Sequence, residues 1–197
     1  VKFVWSSDAS VLVRSERALG LFRGLRQREL DGVTGLSPAR ESVMVRFDPL
    51  ILRHEDVKCW IQSVGDVCFV EEGKLVEILT LYNGDDLEEL ASVCRMSTSE
   101  VVSRHCGRDY DAWFLGFVPG FAYLGEVDET ISAPRRAVPR VLVPAGSVGI
   151  AGRQTGVYPR ATPGGWNLIG RTDEIMFDGS SGKSLIEPGD RVRFVPL

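Results

Sequence analysis

From Trp113 to the end of the chain, short apolar runs alternate with residues that stop a helix, and this constrains the fold more than any other feature. The stretch "GIAGRQTGVYPRATPGGWNLIGRT", starting at Gly149, holds six glycines and two prolines. Pro119-Gly120, Pro163-Gly164 and Pro188-Gly189 punctuate the same half. Proline presets φ at the second position of a type II turn and glycine supplies the positive φ of the third, so each pair predicts a turn. Many short strands joined by tight turns build a β-barrel or a sandwich. The closing "PGDRVRFVPL" predicts a turn and then a strand with Val192 and Phe194 inward and Arg191 and Arg193 outward.

The first half has longer periodicities. Phe3 to Arg14 reads as strand, turn, strand around "SSDAS". Leu19, Phe22 and Leu25 fall at helical spacing within Ser15 to Leu30, and Val57, Trp60, Ile61 and Val64 do the same from His54 to Val64. Between them "SVMVRF" alternates Val43, Val45 and Phe47 against Met44 and Arg46, the period of a half-buried strand. With "KLVEILTLY" as a final strand, this alternation of strands and helices predicts a small ferredoxin-like α+β domain over residues 1–81. A second domain, over 82–197, opens with two short helices: Asp85 is placed to cap the first, and Ser97 with Glu100 forms a capping box for the second.

A chain of 197 residues with 44% hydrophobic composition has room for two such cores. Its net charge of −4, with basic residues scattered among acidic ones, argues against nucleic acid and against anionic membrane as partners. No apolar run approaches the ~18 residues of a membrane span, and "VKFVWSSDAS" lacks a signal-peptide pattern, so a cytoplasmic location is expected. Cys59, Cys68, Cys94 and Cys106 show no metal-ligand spacing among themselves or with His54 and His105. We therefore expect reduced thiols and no metal site.

Two apparent motifs fail on their chemistry. "DGSSGKS" at Asp178 to Ser184 ends like a phosphate-binding loop, but Phe177 stands where that loop needs glycine, and Pro188 precludes the following helix. His105 beside Cys106 resembles a base and its nucleophile, yet adjacent side chains rarely meet at hydrogen-bond distance, so His105 is expected to supply a hydrogen bond at the barrel rim. The polar groups left in the glycine-rich half suggest a binding surface. Gln154, Thr155, Tyr158 and Asn167 are hydrogen-bonding groups, Arg136, Arg153 and Arg171 suit a carboxylate or phosphoryl group, and Phe121, Tyr123 and Trp166 can wall a pocket.

Three stretches, "GFVPGFAYLG", "PRRAVPRVLVPAGSVGIAGRQTGVYPRATPGGWNLIGRT" and "PGDRVRFVP", resemble the family of B-type subunits of bacterial 5-oxoprolinase, also known as allophanate hydrolase subunit 1 and including the kinase inhibitor KipI. "YNGDDLEELA", "STSEVVSRH" and "SVMVRFDPL" extend the resemblance over nearly the whole chain, whereas the opening "SSDASVLVR" departs from the family pattern. The resemblance implies a cyclophilin-like β-barrel behind the small α+β domain. It implies two partners: a second cyclophilin-like subunit, of the 5-oxoprolinase C-type or allophanate hydrolase subunit 2 kind, and a third 5-oxoprolinase subunit. Together they would open 5-oxo-L-proline to L-glutamate with ATP as cosubstrate, bound here or on another subunit, the single chain being inactive alone.

For that chemistry Gln154, Thr155, Tyr158 and Asn167 are the expected catalytic donors to the lactam oxygen. Arg136 or Arg171 would hold the substrate carboxylate, with Phe121, Tyr123, Trp166 and His105 completing the binding site. The resemblance also admits a histidine-kinase inhibitor of the KipI type, or an allophanate- or urea-related amide hydrolase or carboxyltransferase subunit.

Overall fold

The computed structural model describes residues 1–64 and 73–197. The chain divides into two compact units, Val1–Glu72 and Gly73–Leu197. Cys68 lies outside the described residues.

The first unit begins with a hairpin of β1 (Lys2–Ser7) and β2 (Ser10–Arg14), followed by α1 (Ala18–Gln27), a second hairpin of β3 (Val33–Ala39) and β4 (Ser42–Phe47), and α2 (His54–Val64). The periodicities place these elements as expected. Val43, Val45 and Phe47 turn inward beside Val11 and Val13, and are met by Leu21, Phe22 and Leu25 of α1 and Val57, Ile61 and Val64 of α2. Each such side chain contributes roughly 1.5–3 kcal/mol by leaving water. The Trp60 indole N–H, 2.7 Å from the Arg28 carbonyl oxygen, ties α2 to the end of α1.

The connectivity differs from the expected ferredoxin-like order. The sheet runs β1-β2-β4-β3 with every pair antiparallel, and so lacks the parallel neighbours of a split β-α-β unit. The strand not anticipated was β3, because Gly35 and Pro38 interrupt its alternation. An edge position explains its proline, since an edge strand need not donate from every residue.

The second unit takes the strand that the sequence assigned to the first. β5 (Leu75–Thr80) lies parallel to β15 (Arg191–Pro196), with Val76 beside Val192 and Ile78 beside Phe194. The boundary therefore falls near residue 73 rather than after 81. Between these strands run α3 (Leu87–Val93), α4 (Thr98–Cys106), β6 (Asp109–Leu115), β7 (Ala122–Gly125), β8 (Arg140–Val143), β9 (Ser147–Ala151), β10 (Gln154–Val157), β11 (Thr162–Gly164), β12 (Asn167–Arg171), β13 (Phe177–Asp178) and β14 (Lys183–Ser184).

Seven strands form one sheet in the order β12-β9-β10-β7-β6-β15-β5. Just past β5, Leu81 exchanges hydrogen bonds of 2.8 and 2.9 Å with Arg171 at the end of β12. The two outer strands thus meet and the sheet nearly closes into a barrel, as the cyclophilin-like expectation requires. Ile78, Tyr110, Leu124, Val148, Ile150, Ile169, Val192 and Phe194 fill it, with Leu90 and Val101 of the helices packed on the same core.

Ser97 and Glu100 form the expected capping box. The cap position of α3 falls on Asp86 rather than Asp85, and its carboxylate does not cap the helix. Gly120 and Gly189 show the positive φ of their turns, whereas Pro163 and Gly164 lie within β11.

Candidate functional site

Of the residues singled out in the sequence, His105 and Thr155 prove to be part of the barrel core. Both are fully buried. The Thr155 hydroxyl donates to the Gly149 carbonyl oxygen at 3.0 Å, so it accepts from His105 Nε2 at 2.8 Å, which fixes the proton on Nε2. Nδ1 then accepts from the Tyr82 hydroxyl at 2.7 Å. Every polar atom of this relay is satisfied, and burial holds the imidazole neutral by lowering its pKa to about 3. The two residues brace the core, and their full burial keeps them away from the rim. Strand parity carries this information, because an inward Val157 makes Thr155 inward as well.

Arg136 and Asn167 are also engaged within the chain. The buried Asp86 carboxylate accepts from Arg136 Nη1 at 2.5 Å, from Arg140 Nη2 at 2.7 Å and from the Leu168 amide at 2.7 Å. Burial alone would raise its pKa, but the Arg140 and Leu168 hydrogen bonds and both guanidinium charges outweigh that and hold it below the ordinary value. Asn167 donates to the Pro134 and Ile150 carbonyl oxygens, and the Arg136 amide donates to Gly165. The segment between Pro134 and Arg140 is thereby pinned to α3, β9 and β12.

What that pinned segment presents is Arg135. With Pro139 it borders a cleft of about 230 Å³ whose other walls are Phe117, Phe121, Tyr123, Tyr158 and Trp166. The aromatic rings form one interlocked cluster. Phe121 meets Tyr158, Trp166 and Tyr123 edge-on at 5.3, 5.2 and 4.9 Å between centroids. Such edge-to-face contacts fix ring orientation beyond what burial alone does. Gly164 is required here, since a Cβ on it would lie 2.3 Å from the Tyr158 hydroxyl oxygen.

Burial raises the pKa of Tyr158, against the lowering effects of a hydrogen bond from the Trp166 backbone and of the Arg135 charge. Burial likewise raises Tyr123, opposed by Arg135. Both phenols are therefore neutral donors near neutral pH, facing one cation between apolar walls. A site of this kind suits a small, flat, anionic ligand with a carbonyl oxygen.

The structure thus brings Phe121, Tyr123, Trp166 and Tyr158 together as expected and substitutes Arg135 for Arg136. Gln154 lies half-buried at the far end of β10 from Tyr158, Arg153 pairs with Glu126 at 2.6 Å, and Arg171 is exposed at the barrel seam. Among the described residues no group of His, Cys, Asp and Glu is arranged to hold a metal, and no helix is long and apolar enough to cross a membrane. The loop at Asp178 is filled by its own carboxylate, which accepts from the Ser180 amide and from the Ser180 and Ser181 hydroxyls at 2.8, 2.6 and 2.6 Å. That negative charge sits where a phosphate-binding loop would place its ligand, consistent with the failed spacing.

The chain matches the family of carboxyltransferase domains, subdomains C and D, over residues 3–186. It is 36% identical over 194 residues to a Haemophilus influenzae protein named as the B-type subunit of 5-oxoprolinase, covering 93% of this chain and 88% of that one. To the protein of the same name from Escherichia coli O157:H7 it is 54% identical over 129 residues, 64% of this chain and 59% of the relative's length. Among solved structures, TTHA0988 superposes with a TM-score of 0.87 at 35% identity over 95% of this chain, which spans 40% of that longer one. By these matches the chain belongs to the family of B-type 5-oxoprolinase subunits and carries the carboxyltransferase C and D subdomains.

Proposed function

We propose that this chain is a subunit of an ATP-dependent 5-oxoprolinase complex and that its aromatic cleft takes the carboxylated lactam. The observation that carries this reading is the facing of Arg135 with two neutral phenols between Phe121 and Trp166. Arg135 pairs with the substrate carboxylate, and the apolar walls take the faces of the five-membered ring. The lactam is a resonance-stabilised amide, so its carbonyl carbon resists water until charge on the oxygen is stabilised. Tyr158, kept neutral by burial, holds its own proton to donate to that oxygen. Transfer of the ATP γ-phosphoryl group to the lactam oxygen would activate the carbonyl carbon; one water then adds there and the C–N bond breaks, the nitrogen taking up a proton, to give γ-glutamyl phosphate and ADP, and a second water displaces phosphate to leave glutamate.

The partner role rests on the names of the relatives, each one component of a multi-subunit enzyme, and on the surface beside the cleft. Val138, Val141 and Leu142, 77, 87 and 62% exposed, lie on or next to the segment that carries Arg135. An apolar edge of this kind suits a second subunit, cyclophilin-like in type, closing over the cleft. ATP would be the cosubstrate of the assembled complex, bound on this chain or on another subunit.

The test is ATP-dependent glutamate formation by this chain assembled with its two partner subunits. Arg135→Gln should raise KM for 5-oxo-L-proline at least tenfold, and Tyr158→Phe should lower kcat by about 10²–10³. Full activity in both variants, with assembly confirmed, sinks the assignment. The carboxyltransferase naming of the matched family favours a second reading, in which the cleft holds a carboxyl acceptor. Incorporation of labelled bicarbonate into the product, without net lactam opening, would decide for it.

A further inference from the structure

Among the described residues only two that are not glycine have positive φ, Arg95 at 55° and Phe117 at 68°. Arg95 directly follows the last residue of α3's cap, where a left-handed residue is common. Phe117 has no such explanation. Its φ and the 2.8 Å hydrogen bond from the Val118 amide to the Gly116 carbonyl make it the centre of a positive-φ γ-turn, a rare and strained conformation. For a bulky side chain such a φ is an outlier. Glycine would adopt it freely, and Gly116 and Gly120 stand in the same loop.

Packing does not offset the strain, because Phe117 is 59% exposed and its ring contact is a single edge against Phe121 at 5.7 Å. The ring stands between two cavities. On one side is the cleft with Arg135 and Tyr158, and on the other a trough of about 380 Å³ bordered by Leu115, Val118, Pro119, Phe177 and Ser184. Strain that folding does not use marks a position held for another purpose.

We propose that Phe117 is the specificity-determining wall of the cleft, an aromatic partition against which a flat five-membered lactam ring lies and beyond which a larger ring cannot pass. The proposal deepens the reading of the cleft as a lactam site and rests on it. Replacing Phe117 by glycine removes the wall, joins the cleft to the trough and relaxes the turn, so binding and stability should move in opposite directions. A residue present only for packing would lose both together.

The experiment uses the assembled complex, with 5-oxo-L-proline and its six-membered homologue, 6-oxopiperidine-2-carboxylate, as substrates. For Phe117→Gly we expect a melting temperature unchanged or raised by about 2–4 °C. KM for 5-oxo-L-proline should rise at least tenfold, and the kcat/KM preference for the smaller ring should fall at least tenfold. Phe117→Tyr keeps the ring and should lose less of the preference for the smaller substrate than Phe117→Gly does. A Phe117→Gly complex with unchanged KM and ring preference overturns the proposal, whatever its melting temperature. If the wild-type complex neither binds nor turns over either lactam, the lactam reading itself falls, and this inference with it.

Discussion

Replacing Asp86 by alanine removes the acceptor of three donors at once: Arg136 Nη1, Arg140 Nη2 and the Leu168 amide. Breaking a buried ion pair by deleting one member costs about 3–5 kcal/mol, and orphaning a buried amide about 1–3 kcal/mol. Here the two arginine side chains are 31 and 22% exposed, so water recovers part of the loss, and the net cost should be about 2–4 kcal/mol. That corresponds to a melting temperature lower by about 6–15 °C. Asp86→Asn should cost roughly half as much, because in either orientation its NH2 group faces a donor, the Leu168 amide or the guanidiniums. The Asp86 carboxyl is held below its ordinary pKa, so its stabilisation is complete above the ordinary value near ~3.9 and is lost as pH falls through the lower folded value. Calorimetry of wild type and Asp86→Asn should therefore show a gap at pH 7 that narrows below about pH 4. An Asp86→Ala protein within about 0.5 kcal/mol of wild type at pH 7, or a gap that widens on acidification, refutes the reasoning.

Gly164→Ala places a Cβ 2.3 Å from the Tyr158 hydroxyl oxygen, and should cost about 1–3 kcal/mol by overpacking while displacing the phenol; wild-type stability by urea titration, together with wild-type kcat in the complex, would contradict it. His105 is held neutral in the folded state down to about pH 3, whereas the unfolded chain takes up the proton near the ordinary ~6.5. Its contribution is thus complete above about pH 6.5 and declines as the pH falls toward 3, so His105→Gln should flatten the stability profile across that window, as read by urea titrations at stepped pH. An unchanged slope counts against the buried relay.

How much of this was legible in the sequence depended on whether a residue's partners were close along the chain. Capping at Ser97 is a three-residue relation, and the alternation in β4 and β15 a two-residue one, so both could be read directly. The barrel domain was legible from its turns and short runs. The ownership of β5 was not, because its alternation says only that one face is buried, and its partner β15 lies over a hundred residues away. The first unit was misread for a related reason: β3, with Gly35 and Pro38, lacks the periodicity that would have announced it, and nothing local says that the strands pair as β1-β2-β4-β3.

The site shows the same division at the scale of single side chains. Aromatic residues in a glycine-rich barrel segment pointed to a walled pocket, and Phe121, Tyr123, Tyr158 and Trp166 do meet there. In "PRRAVPR" nothing local separates Arg135 from Arg136. What separates them is Asp86, fifty residues upstream of Arg136 and buried, which captures Arg136 and Arg140 and leaves Arg135, held between the anchored Pro134 and Arg136, to border the cleft. The acidic residue next to the expected helix cap, Asp86, is therefore what selects the cation presented to a ligand. It follows that loss of the Asp86 carboxylate should weaken binding of an anionic ligand without removing any group that touches it. In the assembled enzyme Asp86→Asn should raise KM with little change in kcat, whereas Arg135→Gln should do so in a protein of normal stability.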